Sequence, residues 1–237
     1  MRILLLDNEF PPLGGGTGVV NYHLLEGITE VGNIQFDLVT SSRTKNQYEH
    51  EVLYPGIELY KVPVNSKNIH HSSNRELITY AVRGFLKSRE LLQEHSYDLC
   101  FAFATFPAGV MALGLSFSYG LPYIVSLQGP YVTGFEARYN YIYPFLKPIA
   151  RLVWKRTAAV TAISEQMRQL ASQTCSDLHM DIISNGVDTR RVQPRNWDND
   201  SIRSEPMTVI CVARLIERAA SFARVRRRSE AEGLGRF

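Results

Sequence analysis

A glycine-rich loop near the N-terminus has the composition of an anion-binding turn. Three adjacent glycines, Gly14 to Gly16, precede Thr17 and the start of a predicted helix. Glycine lets backbone approach a ligand closely, and the free N–H groups at a helix start favour phosphate. The loop is therefore a candidate phosphate site. A plain structural turn is the alternative, because α/β proteins place glycine at many such turns.

Two familiar nucleotide-binding motifs do not fit this loop. A G-x-G-x-x-G fingerprint needs glycine where Val19 or Asn21 stands, and an acid at the end of the second strand, which reads Thr40-Ser41-Ser42. A P-loop needs Gly-Lys-Ser/Thr, which does not follow. These departures disfavour an NAD-type Rossmann enzyme.

The pattern of cysteines and histidines does not favour metal or disulfide chemistry. Cys100, Cys175 and Cys211 are odd in number, widely spaced and without a C-x-x-C pair, which argues against a disulfide framework or a zinc site. His70 and His71 stand in a polar loop without acidic or cysteine partners nearby. We expect no metal, and a reducing cytoplasm fits these thiols.

The net positive charge of the chain comes from its last residues. Residues 219–237 hold five arginines and two glutamates, a net of +3 that equals the formal charge of the whole chain. The first 218 residues are therefore neutral, which gives no support to a nucleic-acid-binding surface. The composition changes abruptly at Ala219, and we interpret 219–237 as a basic tail of non-native character.

Strands and helices alternate along the sequence, which predicts a doubly wound, mostly parallel, Rossmann-like α/β sheet. Strands are predicted over 2–6, 36–40, 57–62, 99–104, 123–127 and 159–162, in a segment ending at 184, and over 207–212. Helices are predicted over 18–31, 75–94, 108–119 and 141–156, and after an N-cap at Ser164. Gly120 and Pro122 are expected to end the third helix.

An uncharged segment, Leu99 to Phe135, is long enough to suggest a membrane span. Proline and glycine divide it into strand, helix and strand, and strands covered on both faces read as continuous apolar runs. We therefore expect a buried βαβ unit in this segment.

Several segments occur in the order expected of one enzyme family. The opening strand with Phe-Pro-Pro and the glycine cluster resembles the start of glycosyltransferase family 4. The later segments that resemble family signatures are Tyr97–Ala102, Gly120–Gly129, Ala162–Glu165, Ile183–Asp188 and Cys211–Arg218. The resemblance covers residues 1–218.

This resemblance implies the N-terminal domain of a GT-B fold over 1–193, a linker over 194–206 and a stub of the second domain over 207–218. It also implies transfer of a sugar, with retention and without a metal or other cofactor. The donor it implies is a nucleotide-sugar, and the acceptor is left open among a saccharide, a lipid-linked saccharide and a small alcohol. We expect the second domain to be missing and the chain to be inactive alone. The alternative is a non-catalytic acceptor-binding domain.

The resemblance also carries over candidate site residues, although no catalytic residue is assigned. The acceptor and diphosphate candidates are Gly15, Gly16, Thr17, Gln128 and Gly129. Arg214 corresponds to a donor-phosphate-binding arginine, and the signature residues are Asn185, Gly186 and Asp188.

Two departures from the family pattern bear on activity. Gln128 stands where the family often has histidine or arginine, and a neutral amide cannot neutralise phosphate charge. Ala219 and Ala220 stand where a lysine and a glycine are expected.

A further stretch bears on localisation. Lys147, Arg151 and Lys155 recur at helical spacing in an aromatic segment, which suggests peripheral contact with the inner face of a membrane. A solvated cationic stripe beside a core-facing apolar one is commoner, and Pro144 and Pro148 interrupt the amphipathic pattern. We expect the protein to be cytoplasmic.

Overall fold

A computed structural model describes residues 1–69, 72–129, 132, 134, 135, 140–190, 192 and 193. Met1–Gly186 form one compact unit, and the few described residues beyond Gly186 belong to a second. The predicted linker, the strand at 207–212 and the tail lie outside the described residues. His70, His71, Cys211 and Arg214 lie outside them as well.

Strands of the first unit build one sheet, which is mixed but mostly parallel. They are β1 (Arg2–Leu6), β2 (Gln35–Ser42), β3 (Glu49–Tyr54), β4 (Ile57–Pro63), β5 (Leu99–Phe103), β6 (Tyr123–Leu127), β7 (Ala159–Ala162) and β8 (Asp181–Ile182). Their order across the sheet is β3-β4-β2-β1-β5-β6-β7-β8, and among these strands β3 alone runs antiparallel to its neighbour.

Helices cover both faces of this sheet. They are α1 (Gly16–Ile28), α2 (Asn74–Glu94), α3 (Val110–Tyr119), α4 (Tyr143–Arg156) and α5 (Glu165–Ser172), with an irregular helical turn at Thr105–Gly109 before α3. Leu25 of α1 packs in a core cluster with Leu5 and Leu38. The other four helices contribute to a second, larger cluster.

This division of the helices follows from the strand order. Right-handed crossovers put helices on opposite faces when the chain moves in opposite directions across the sheet. The chain moves from β1 towards β2 and β4, then returns to β5 and continues to β8. The switch point lies between β1 and β5, and the predicted doubly wound α/β fold is confirmed.

Local signals in the sequence determine several helix boundaries. Ser73 and Glu76 form a capping box at the start of α2. The Ser164 side chain caps α5 as predicted, accepting the Met167 N–H at 3.2 Å. Gly120 ends α3 with φ of +68°, also as predicted.

The largest differences from the prediction are the strand β3 and the bounds of α1, which ends at Ile28 rather than at Val31, while other boundaries differ by one or two residues. β3 was not predicted, because its side chains lie at a solvent-facing edge and do not alternate between apolar and polar. α1 begins at Gly16, two residues before the predicted start, because glycine is tolerated in the first turn.

The uncharged segment does form a buried βαβ unit from β5, α3 and β6. Of the described helices, none is long and apolar enough to cross a membrane.

Candidate functional site

Five loops that carry site candidates or other polar groups lie on the same side of the sheet, where the strands end. They follow β1, β5, β6, β7 and β8, all of which are parallel, so their carboxyl ends share that edge. In open α/β sheets the ligand crevice lies outside the carboxyl ends at the switch point, here between β1 and β5. We call this side of the sheet the carboxyl edge and the opposite side the amino edge.

The glycine loop after β1 is held by its own acidic side chain. Gly15 is the N-cap of α1, and its N–H donates to Oε2 of Glu9 at 2.8 Å. Gly14 has φ of +97°, and a Cβ there would lie 2.4 Å from Cβ of Glu9. Its N–H donates to the Ile69 carbonyl at 2.6 Å. The loop N–H at the start of α1 therefore already binds an anionic group, the Glu9 carboxylate.

Two other glycines of this loop have different surroundings. A Cβ on Gly18 would lie 3.0 Å from the Glu9 carbonyl carbon, so close backbone approach requires glycine there. A Cβ on Gly16 would meet nothing within 4 Å. Gly16 is exposed and the adjacent Thr17 is half-buried. Gly14 and Gly18 thus shape the loop, while Gly16 borders open space beside the helix start.

A buried carboxyl group lies beneath the loop. Asp7 follows β1, and its carboxylate accepts the side-chain N–H of Asn21 and, at 3.1 Å, the backbone N–H of Glu9. Burial, with a smaller effect from the Glu9 charge, raises the pKa of Asp7 well above its usual range. Sequence reasoning missed this pair, because Asn21 was weighed only as a departure from a glycine fingerprint.

The predicted residues after β6 and β8 do come together. The Asn185 side-chain amide donates to Oε1 of Gln128 at 3.3 Å, and Nε2 of Gln128 donates to Oγ of Ser126 at 2.8 Å. Gly129 has φ of +135°, and a Cβ there would lie 2.8 Å from the Phe135 ring. The Gln128 amide is therefore oriented from two sides. β5 lies between this group and the glycine loop.

The turn after β5 contains a strained residue at the switch point. Ala104 has φ of +83° and ψ of 154°, a region that only glycine adopts readily. Its N–H donates to the Ser126 carbonyl at 2.8 Å. The next residue, Thr105, accepts the Trp154 indole N–H at 3.0 Å on its hydroxyl. The sequence gives no sign of this strain, because alanine occurs mostly at unstrained positions and does not indicate a positive φ.

The remaining candidates are less informative. A Cβ on Gly186 would meet nothing within 4 Å. In the second unit, Asp188 accepts the Arg190 backbone N–H at 2.9 Å.

Among the described residues, no group of three or more His, Cys, Asp or Glu is placed to hold a metal ion. Cys100 and Cys175 are buried free thiols, and burial raises the pKa of each.

The predicted cationic stripe lies on α4, but two of its members bind the protein itself. Nζ of Lys155 lies 2.9 Å from Oδ2 of Asp177, and this hydrogen bond lowers the pKa of Asp177 to about 2. Nε of Arg151 donates to the Thr174 carbonyl. Lys147 is half-buried.

A cavity of about 580 Å³ lies far from these groups. Met1, Gln35, Gly56 and Ile57 are among its lining residues, which place it at the amino edge. It does not coincide with the candidate site.

The fold and the carboxyl edge define an α/β domain of the kind that forms one half of a GT-B enzyme. A family model described as Glycosyltransferase Family 4 matches residues 14–191, and the chain belongs to this family. A search of curated proteins finds no match.

Solved structures confirm that the chain has the fold of one half of a GT-B glycosyltransferase. Sucrose-phosphate synthase from Thermosynechococcus elongatus matches with a TM-score of 0.66 and 12% identity, over 80% of this chain and 49% of that chain. A shorter structure of the same synthase matches with a TM-score of 0.58 and 11% identity, over 81% of this chain and 93% of that one.

An E. coli structure described as trehalose-6-phosphate bound with UDP-2-fluoro glucose matches with a TM-score of 0.55 and 10% identity. The match covers 81% of this chain and 50% of that one. The chain thus spans about half the length of the two longer structures, at 49% and 50%.

Proposed function

We propose that this chain is the acceptor-side half of a glycosyltransferase that moves a sugar, with retention, from a nucleotide-sugar donor to an acceptor. The observation that carries the proposal is the Glu9 carboxylate on the Gly15 N–H, 2.8 Å apart at the start of α1. A loop that holds a carboxylate oxygen on a helix-start N–H has the geometry to hold a phosphate oxygen there. A diphosphate at this position would displace Glu9.

The described groups supply hydrogen bonds rather than positive charge. Gln128 and Asn185 carry neutral amides, while Asp7 and Glu9 carry carboxyl groups. Departure of a diphosphate requires stabilisation of developing negative charge, most effectively by a cation. The predicted cation, Arg214, lies outside the described residues. Ala219 stands where the family pattern has a second cation, so we expect slow transfer by the chain alone.

The likeness to an E. coli structure bound with UDP-2-fluoro glucose supports a nucleotide-sugar as the donor. The amide groups of Gln128 and Asn185 can hydrogen-bond the hydroxyl groups of a saccharide or a lipid-linked saccharide. We infer that the reaction takes place in the cytoplasm and uses no further cofactor.

Binding to the glycine loop can be tested with two matched variants of α1. Gly16→Ala and Gly27→Ala each add a methyl group that meets nothing within 4 Å, so neither should disturb the fold. Amide NMR shifts would be followed while UDP, UDP-glucose, inorganic pyrophosphate or NAD is added. We expect UDP, UDP-glucose and pyrophosphate, but not NAD, to shift the amide resonances of Gly15 to Thr17. We also expect Gly16→Ala to weaken UDP binding several-fold.

The Gly27→Ala variant should bind UDP as the wild type does. Equal UDP affinity in both variants, or tighter binding of NAD than of UDP-glucose, would overturn the proposed function.

A further inference from the structure

The Glu9 side chain lies across the glycine loop and uses the N–H group that the proposed function assigns to a ligand. Its Oε2 atom accepts the Gly15 N–H at 2.8 Å, while its own backbone N–H donates to the Asp7 carboxylate at 3.1 Å. Glu9 is half-buried. Its backbone is thus held at the end of β1, and its side chain reaches the start of α1.

Two glycines make room for this side chain. A Cβ on Gly14 would lie 2.4, 2.7 and 2.9 Å from Cβ, Cγ and Oε2 of Glu9. A Cβ on Gly18 would lie 3.0 and 3.1 Å from the carbonyl carbon and oxygen of Glu9. The loop is therefore built around Glu9, with glycine at both places where the chain comes closest to it.

No described cation compensates the charge of Glu9. Among the residues that the structure describes, no Lys, Arg or His pairs with its carboxylate. The N–H groups in the first turn of a helix have no partner inside the helix, and no described residue accepts those of Gly16 and Thr17. A phosphate on these two N–H groups would lie beside the Glu9 carboxylate. Because like charges repel, it would bind best once Glu9 has left Gly15.

Helix α2 shows how this fold fills a helix start permanently. The Ser73 side chain caps α2, and Glu76 accepts the Ser73 N–H in return at 2.6 Å, so both groups belong to the helix start itself. In α1 the N-cap is Gly15, which has no side chain to cap with. The anion comes from Glu9 instead, six residues earlier in the chain. Glu9 can leave without breaking a reciprocal cap, so its bond to Gly15 is exchangeable.

We propose that Glu9 is an internal competitor for the diphosphate, an autoinhibitory contact that limits how tightly the glycine loop holds a diphosphate. The loop binds only when the Glu9 side chain is away from Gly15, and the apparent affinity falls by the fraction of molecules in that open state. After transfer, the return of Glu9 to Gly15 would oppose rebinding of the diphosphate product. The identity of the ligand rests on the proposed function, whereas the contact between Glu9 and Gly15 does not.

Variants of Glu9 test the competition. Glu9→Gln keeps the shape of the side chain without its charge, and Glu9→Ala removes the competitor. The amide resonances of Gly15 to Thr17 would be followed while UDP or inorganic pyrophosphate is added. We expect Glu9→Ala to bind both ligands about tenfold more tightly than the wild type, and Glu9→Gln to show a smaller gain. The factor should be the same for both ligands, because the competitor acts on the loop and not on the nucleotide.

Glu30→Gln is the matched control. It changes the net charge by the same amount, and Glu30 is exposed just beyond the far end of α1. This end lies roughly 20 Å from Gly15 at 1.5 Å per helical residue. In about 0.1 M salt, charges so far apart are largely screened, so UDP affinity should change by less than about twofold. Circular dichroism would check that all variants are folded.

Unchanged or weaker UDP binding in Glu9→Ala would overturn the proposal, because removal of a purely structural contact could only loosen the loop. Equal tightening in Glu30→Gln would overturn it as well, since net charge alone would then explain the gain. If UDP shifts Gly15 to Thr17 in the wild type and the Glu9 variants bind no more tightly, this inference fails and the proposed function stands. If UDP shifts these amides in no form of the protein, the proposed function fails and the competition fails with it.

Discussion

Two buried aspartates at opposite edges of the sheet have very different surroundings. Asp37 and Asp7 are each only 1% exposed. At the amino edge, Asp37 lies 2.7 Å from the Arg2 guanidinium and accepts the Tyr97 hydroxyl. At the carboxyl edge, Asp7 is held by the Asn21 amide and the Glu9 backbone, with the Glu9 carboxylate nearby. The amino edge compensates its buried charge with a cation, and the carboxyl edge holds its acid with amides.

This difference separates the part of the sheet that stabilises the fold from the part that holds the candidate site. The carboxyl edge also contains Ala104, whose φ of +83° and ψ of 154° are strained for alanine. Strain and uncompensated polar groups persist where surrounding structure enforces them, and they cluster at binding and catalytic sites. The amino edge should therefore govern stability, and the carboxyl edge ligand binding.

The largest effect on stability is expected from Asp37→Asn. Removing one partner of a buried ion pair leaves the other charge without compensation, and we expect the free energy of unfolding at pH 7 to fall by about 3 kcal/mol. Urea denaturation would measure this loss. Asp177→Asn, which removes an exposed pair, should have a much smaller effect. A loss below about 1 kcal/mol would contradict the role given to the amino edge.

Gly14→Ala should have the next largest effect, about 2 kcal/mol of lost stability. Alanine at φ of +97° is strained, and its Cβ would collide with Cβ of Glu9. The same denaturation experiment on Gly16→Ala is the control, because that methyl group enters open space. Equal stability of the two variants would show that the loop does not depend on the Glu9 contact.

Much of the fold could be predicted because local signals agree with the final packing. The limits of β1, β6 and β7 coincide with the apolar runs at 2–6, 123–127 and 159–162. The edge strand β3 could not be predicted in this way. Its partner β4 lies across a turn at Gly56, with φ of +81°, and pairing with β4 rather than burial defines the strand.

The candidate site was less predictable, because its key contacts join residues by geometry rather than by type. Glycine richness marked the loop, but it gave no sign that Glu9 occupies the Gly15 N–H. Asn185 was identified through a family signature, and its bond to Gln128 depends on β8 and β6 ending at the same edge. The strain at Ala104 depends on a backbone turn that alanine does not itself favour.

The pH dependence of stability should reveal the buried acid of Asp7. Burial raises the folded-state pKa of Asp7 above the unfolded value of about 3.9. Its contribution is fully present below the unfolded pKa and is lost as pH rises towards the folded pKa, by about 1.4 kcal/mol per pH unit. Asp7→Asn should abolish this loss.

The neutral acid of Asp7 and the amide of the Asp7→Asn variant can both donate to Oδ1 of Asn21, a buried atom with no partner among the described groups, whereas an ionised Asp7 cannot. We therefore expect the variant to be more stable than the wild type at pH 7, with the difference vanishing near pH 4. Urea midpoints measured from pH 4 to pH 8 would show this. A difference that is independent of pH would mean that Asp7 is not held as a neutral acid.

The smallest effect on stability is expected from Asn185→Ala. Asn185 is exposed and its bond to Gln128 is long, at 3.3 Å, so the free energy of unfolding should change by less than about 0.5 kcal/mol. The bond instead helps to fix the orientation of the Gln128 amide at the carboxyl edge, and the side-chain amide resonance of Gln128 should shift and broaden in the variant. Gly186→Ala, whose methyl group meets nothing within 4 Å, is the matched control and should leave that resonance unchanged. An unaltered Gln128 signal in Asn185→Ala would reduce the family signature at this edge to a turn, because Ser126 alone would then suffice to hold the amide.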